Sequence, residues 1–222
     1  MSTLPLPERP LRRDAERNRR RILEVAREAF AEDGLAVTLD EIARRAGVGV
    51  GTVYRRFPDK EQLIDALFEE RIREVAAIAE AGLRCEDAWE GLVHFLEGAT
   101  AAHADDRGLK EVALSGTHGR ERVARARQLM FPLVTRLVAR AQEQGTLRPD
   151  VQATDLPLLQ LMLGSLSECT HSVDADVWRR YLGILTDGLR TRRDGPTPLA
   201  SAGLEPEQVQ RTMRCWRPSA AR

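Results

Sequence analysis

The chain has 222 residues, with 34 basic side chains balanced by 34 acidic ones, and 42% of its residues are hydrophobic, enough for a packed core. No apolar run approaches the ~20 residues of a membrane-spanning helix, and the N-terminus has no apolar stretch of signal-peptide length. Three cysteines without C-x-x-C spacing exclude a disulfide framework and a cysteine-based zinc site, so we expect a cytoplasmic protein without a metal or a cofactor.

Charge is distributed unevenly along the chain. Residues 1–60 carry 13 basic and ten acidic side chains, and residues 9–27 alone carry eight arginines against three acids. A basic end on a neutral protein is consistent with contact between that end and a polyanion. A solvated helix face gives the same charge statistics, so the motifs have to decide between the two interpretations.

No stretch of the chain alternates apolar and polar residues with the period of a strand, so the pattern predicts helices throughout. Residues 1–13, rich in proline and arginine, are expected to form a disordered basic arm that lies on phosphates or in a minor groove, or that is simply solvated. The first helix is predicted over about residues 14–33. Its single apolar stripe consists of Ile22, Ala26, Ala29 and Phe30.

The second helix has clear local signals at both ends. It is predicted over residues 39–46, where Thr38 is placed to cap it and Glu41 to complete a capping box. Residues 47–49 are too short to form anything but a tight turn. The sequence therefore predicts two short helices joined at a steep angle.

The remaining helices follow from stop signals and amphipathic spacing. The third is predicted over about residues 50–57, because Pro58 cannot continue a helix. Asp59 caps the fourth, which runs to about residue 83. Further helices are predicted at about residues 86–104, 107–115, 119–144 with a kink at Pro132, 154–171, 175–192 and 205–216, with a linker at 194–204.

The segment at residues 154–171 is apolar on nearly all sides. A helix of this kind has to be covered on both sides, and the rest of the chain is short for that purpose. A second copy of the chain is the simpler cover, so we expect a homodimer. The predicted interface residues are Leu158, Met162, Ser165, Trp178, Tyr181 and Leu185.

Residues 38–57 combine a capped helix, a turn with glycine and a second short helix, which is typical of a helix-turn-helix. In that motif the second helix enters the DNA major groove and presents side chains to base edges and phosphates. Lys60 lies where the helix dipole disfavours a cation, which a neighbouring phosphate would explain. The predicted DNA-contacting residues are Arg17, Thr38, Gly49, Val50, Gly51, Thr52, Tyr54, Arg55, Arg56 and Lys60. The alternative is a helical hairpin that only packs.

The tract GLAVTLDEIARRAGVGVGTVYRRFPDKEQLIDAL (34–67) resembles the DNA-binding region of TetR-family transcriptional regulators. The shared pattern is a Thr-capped helix, A-x-x-A-G-V, G-T-[LV]-Y-x-x-F and K-x-x-L. Through it, Thr38, Thr52, Tyr54 and Lys60 resemble DNA-contacting positions of that family. The chain departs from the pattern at Gly49, where serine is usual, and at Val50, where a polar or basic residue is common.

The resemblance implies a repressor that binds a palindromic operator as a dimer and is released by a small-molecule effector. The expected all-α architecture has a helix-turn-helix domain at 14–60, an effector-binding and dimerisation domain at 61–193 and a linker and tail at 194–222. Candidate effector-pocket residues are Phe68, Trp89, His103, Arg127, Met130, Phe131 and Cys169. Ordinary packing is the alternative for each of them, and a pocket that includes Arg127 favours an acidic effector.

Two other classes of function were compared with this interpretation. Enzymes are disfavoured because the four histidines lack metal-binding spacing and no serine lies in a G-x-S-x-G context. A DNA-binding regulator that is controlled by a protein partner instead of a small molecule shares every N-terminal feature. The sequence does not separate this alternative from the effector-responsive one.

Overall fold

A computed structural model describes residues 9–105, 119–192, 198–199 and 202–215. Most of these residues are helical, which confirms the all-α prediction. The helices are α1 (Arg9–Asp33), α2 (Leu39–Ala46), α3 (Val50–Arg56), α4 (Lys60–Arg84), α5 (Ala88–Asp105), α6 (Gly119–Glu143), α7 (Asp155–Thr170), α8 (Trp178–Leu189) and α9 (Pro206–Cys215). Within the described ranges, no helix has the length and apolar character needed to span a membrane.

The chain divides into two compact units, each with its own apolar core. Of the described residues, the first unit contains 9–71 and 119–124, and the second contains 72–105 and those from Arg125 onward. The division falls inside α4, between Arg71 and Ile72, whereas the sequence analysis places its boundary at residue 60. Apolar side chains from the first part of α4 complete the core of the first unit, which explains the later position.

The core of the first unit contains the predicted stripe of α1, and all four of its side chains are fully buried. The buried side of α2 is also as predicted, with Leu39, Ile42, Ala43 and Ala46 in the same core. α1 begins at Arg9 and not at residue 14. Residues 9–13 therefore continue the helix, and the separate arm that the sequence analysis extends to residue 13 is wrong for these five positions.

The core of the second unit is built around two tryptophans and a group of leucines. Its largest buried members are Trp89, Leu92, Leu96, Leu137, Leu163 and Trp178. The inward stripe of α6 is correct for Val134 and Val138 but wrong for Phe131, whose side chain is 43% exposed. Phe131 lies at the edge of that stripe, where a small rotation of the helix turns a side chain outward. The predicted helix at 107–115 lies outside the described residues.

Helices α4 and α5 meet backbone to backbone in the second unit. A Cβ atom on Gly91 would lie 2.1 Å from the carbonyl oxygen of Gly82, so the close approach requires glycine at both positions. Arg140 of α6 donates to the carbonyls of Leu83 (2.5 Å) and Cys85 (2.9 Å), at the C-terminal end of α4. Side chains outside the turn thus satisfy carbonyls that the helix leaves free.

Candidate nucleic-acid interface

The turn between α2 and α3 is set by local chemistry. The Glu41 N–H donates to Thr38 Oγ1 (3.2 Å), so Thr38 caps α2 as predicted. The second half of the predicted capping box is wrong, because the Glu41 carboxylate accepts hydrogen bonds from Arg44 and Arg45. α2 ends at Gly47, whose φ of 65° is the left-handed conformation that glycine adopts without strain.

Helix α3 has one anchored side and one free side. Val53 is fully buried in the first core, and Phe57, which follows the helix, is buried there too. Gly49 begins the helix without a side-chain cap, and Thr52 is half-buried. The exposed residues are Val50, Gly51, Tyr54, Arg55 and Arg56. The sequence-predicted contact set of α3 therefore lies on the solvent side of a fixed helix.

One residue that holds this motif was not found by the sequence analysis. Arg21 of α1 donates from Nε to the carbonyl of Ala46 (2.6 Å), the last residue of α2. A guanidinium at a helix C-terminus satisfies a free carbonyl and interacts favourably with the helix dipole. The partners are 25 positions apart in the chain, so no local pattern could have indicated the bond.

Replacing Arg21 by glutamine is expected to lower the free energy of unfolding by about 1 kcal/mol, because a hydrogen bond with a charged donor is lost. Arg20→Gln is the matched control, since Arg20 makes only an exposed 3.7 Å ion pair with Glu16, of a kind that contributes little. Urea denaturation of both variants checks the prediction. Equal midpoints for the two variants would show that Arg21 does not hold the turn.

An ion-pair network joins the end of α1 to α2. Arg45 pairs with Glu32 (3.0 Å), Asp33 (2.6 Å) and Glu41 (2.7 Å). Hydrogen bonds from Arg44 first, and then from Arg45, lower the pKa of Glu41 to about 2. A depressed carboxyl pKa stabilises the fold above the ordinary value near 4.5 and loses that contribution as the pH falls toward 2. The network therefore stays charged at neutral pH.

Tyr54 lies on the exposed side of α3, close to the first turn of α2. The negative charge of Asp40 is the main cause that raises the pKa of Tyr54, followed by desolvation and by a hydrogen bond with the Asp40 side chain. A raised pKa keeps the phenol protonated at neutral pH. Tyr54 is thus a hydrogen-bond donor, as contact with a phosphate requires.

Lys60 opens α4 and packs over an aromatic ring. Its Nζ lies 5.5 Å from the centroid of Phe30, and desolvation lowers its pKa, which the charge of Glu61 partly restores. A cation–π contact accounts for a lysine in the first turn without the phosphate that the sequence analysis invoked. Arg17 lies exposed on α1.

Comparisons with known proteins agree with this geometry. Residues 22–67 match the family model described as bacterial regulatory proteins, tetR family, and residues 87–191 match the C-terminal domain of SbtR-like transcriptional regulators. A crystal structure of a TetR transcription regulatory protein from Mycobacterium vanbaalenii is 37% identical to the chain, with a TM-score of 0.65. The match covers 82% of this chain and 100% of that one. The chain belongs to the TetR family.

Other relatives place the chain in the same family. A TetR transcriptional regulator from Streptomyces coelicolor is 29% identical, with a TM-score of 0.60, over 78% of this chain and 98% of its own. An HTH-type transcriptional regulator from Staphylococcus aureus (strain USA300) is 44% identical over 54 residues. That match covers 24% of this chain and only 29% of the relative. As a TetR-family protein, the chain is a DNA-binding transcriptional regulator and not an enzyme.

The candidate effector residues of this TetR-family protein are dispersed. Trp89 is buried, and Met130 packs against the same core, while Phe131 faces outward. Phe68 is half-buried in the first unit, and Cys169 is a half-buried free thiol on α7. The side chains of the other two candidates, His103 and Arg127, lie outside the described part of the structure.

A small cleft opens beside Trp89, whose ring is covered by the guanidinium of Arg190 at 4.7 Å from the centroid. Its volume is about 220 Å³, and its lining residues are Asp87, Trp89, Gly145, Thr146, Arg190 and Arg192. Ligand pockets usually measure about 300–1,000 Å³ and are mostly apolar. The cleft is smaller and richer in charge than that, so we do not assign an effector to it.

The candidate dimer face of the TetR-family protein lies on α7 and α8. Leu158 and Met162 are more than half exposed, Ser165 is exposed, and Tyr181 and Leu185 are half-buried. Two further exposed apolar residues on these helices, Leu161 and Ile184, were not named by the sequence analysis. The prediction is wrong for Trp178, which is 2% exposed inside the core of its own protomer and has no surface to offer a second copy.

Proposed function

We propose that the protein is a homodimeric repressor that binds a palindromic operator through α3 of each protomer and is released by a small-molecule effector. The observation that carries this proposal is the two-sided character of α3, with Val53 buried and five neighbouring positions exposed. We expect the protein in the bacterial cytoplasm, where operator DNA is accessible.

The exposed groups divide into positioning and reading contacts. Thr38 keeps its hydroxyl hydrogen free for a phosphate, because only its oxygen is used in capping Glu41. Tyr54 donates to a phosphate through its phenol, and Lys60 supplies a positive charge. Gly51 and Val50 present backbone and methyl surface, which suits close approach to a thymine methyl. Sequence recognition then depends on α3, and affinity depends on the flanking phosphate contacts.

Alanine at Tyr54 or at Lys60 is expected to raise the operator Kd about tenfold and to reduce the slope of log K against log salt by about 1 for Lys60. Arg73→Ala is the control, because Arg73 is an exposed cation on α4 outside the motif. Fluorescence anisotropy at several salt concentrations measures both quantities. The duplex is found first by footprinting the DNA upstream of the gene for this protein. Unchanged affinity in both variants would remove these residues from the DNA face.

Dimerisation is typical of the family, and the exposed face of α7 and α8 supports it here. A two-fold dimer presents two copies of α3, so a palindrome with half-sites in successive major grooves is the matching duplex. Sedimentation analysis of the wild-type protein tests this step. A monomer at micromolar concentration with no preference for any duplex would contradict the proposal.

Effector control is supported by the continuity of α4, which contributes to the cores of both units. Effector binding in the second unit that displaces α4 would alter the spacing of the two recognition helices, with a typical coupling of about 1–3 kcal/mol. A thermal-shift screen followed by operator release assays identifies the effector. Release only by a protein from the native host would instead favour control by a protein partner.

A further inference from the structure

The C-terminal helix α9 lies outside both regions that match the family. The second matching region ends at residue 191, and α9 begins at Pro206. The start of the helix is fixed locally, since the Glu205 N–H donates to Gln208 Oε1 (2.8 Å) and the Val209 N–H donates to the Glu205 carbonyl (2.9 Å). Such a start is typical of a regular helix and not of a frayed end.

The tail is packed on α7 and α8, the helices of the candidate dimer face. Leu199 Cδ2 lies 3.3 Å from the position that a Cβ on Gly183 of α8 would take. The guanidinium of Arg180, also on α8, lies 3.7 Å from the corresponding position at Gly203. α9 itself packs against α7. The tail thus follows α8 and returns to α7.

The face of α7 and α8 is small for a stable dimer by itself. With 16 and 12 residues, the two helices are about 24 and 18 Å long, and at about 10 Å width each they project roughly 400 Å². Each partner in a standard interface buries about 800 Å². Additional surface beside this face is therefore needed, and α9 is the neighbouring described helix with an unpartnered apolar residue, Val209, which is 43% exposed.

We infer that α9 extends the dimer face of α7 and α8, with Val209 packed against the second copy of the chain. The inference rests on the homodimer of the proposed function. The occupant is a second copy because α9 is continuous with the face that this copy covers. An apolar residue exposed on a helix anchored beside such a face is buried when the two-fold partner is added.

The test compares three full-length variants by sedimentation velocity over a dilution series. Val209→Glu should raise the monomer–dimer Kd at least tenfold, because two-fold symmetry buries two new carboxylates per dimer. Arg211→Glu places the same side chain at a second exposed position of α9 and should leave the Kd within about twofold of wild type. Leu161→Glu, in the face on α7, should give a monomer.

The outcomes separate the inference from the proposal that it depends on. If Leu161→Glu dissociates while Val209→Glu matches Arg211→Glu, α9 lies outside the interface and the homodimer stands. If Leu161→Glu remains dimeric, the face on α7 is wrong as well. Hydrogen exchange of wild-type protein provides a check without substitution in α9. Amides of residues 206–215 should exchange more slowly in the wild-type dimer than in the Leu161→Glu monomer, and equal rates overturn the inference.

Discussion

Replacing Gly91 by alanine is expected to lower the stability of the protein by about 3 kcal/mol or more, the upper range for an overpacked core. The added Cβ would lie 2.1 Å from the carbonyl oxygen of Gly82, and a Cβ on Gly82 would lie 2.4 Å from that of Gly91. These contacts are with backbone, which no rotamer change can relieve. α4 and α5 would have to separate, and the leucine packing of the second core would be lost with them.

Thermal unfolding measures this effect, with an expected decrease in Tm of about 10 °C for a unit of this size. Gly188→Ala is the matched control, because no atom lies within 4 Å of a Cβ at that position of α8. Alanine in a helix is favoured over glycine by up to about 1 kcal/mol, so this variant should melt at the wild-type temperature or above it. If Gly91→Ala melts with Gly188→Ala, the close crossing of α4 and α5 is wrong.

Gly51→Leu is expected to reduce operator affinity at least 100-fold while leaving the free protein as stable as wild type. No atom lies within 4 Å of a Cβ at Gly51, so the new side chain extends into solvent in the unbound protein. Leucine also has a higher helix propensity than glycine, which favours α3. In the complex the side chain would occupy the space through which the backbone of α3 approaches the base pairs.

The measurement is a duplex titration together with a thermal melt of the same sample. Ala77→Leu serves as the control, because it adds the same apolar side chain at an exposed position of α4 outside the motif. The control should bind the operator as wild type does. Full affinity in Gly51→Leu would mean that this side of α3 does not face the duplex, and the assigned reading helix would have to be abandoned.

The helix-turn-helix was predictable from the sequence because its signals are local. Thr38 caps α2 through a bond to a residue three positions away, Gly47 ends it, and Asp59 caps α4 by accepting from the N–H of Gln62 at 2.8 Å. Each signal involves residues within one helical turn, so the bounds of α2 agree with the prediction at both ends. The resemblance at residues 34–67 depends on the same local pattern.

The candidate faces of the second unit were less predictable. An apolar residue at helical spacing indicates that some face is buried, but not by which neighbour. Trp178 was assigned to the dimer face and lies in the core of its own protomer, whereas Phe131 was assigned inward and lies outside. Leu161 is exposed beside Met162 although nothing in its local sequence distinguishes it from the buried Leu163.

The sequence by itself determined the helical architecture, the caps and turn of the DNA-binding motif and the family, since these depend on short-range bonds and fixed spacing. The tertiary structure alone decided that Arg21 holds the end of α2 and that Gly82 and Gly91 meet. It also decided which apolar faces are covered. Contacts of this kind join residues from different helices, and their energies depend on how the helices pack, which no local pattern specifies.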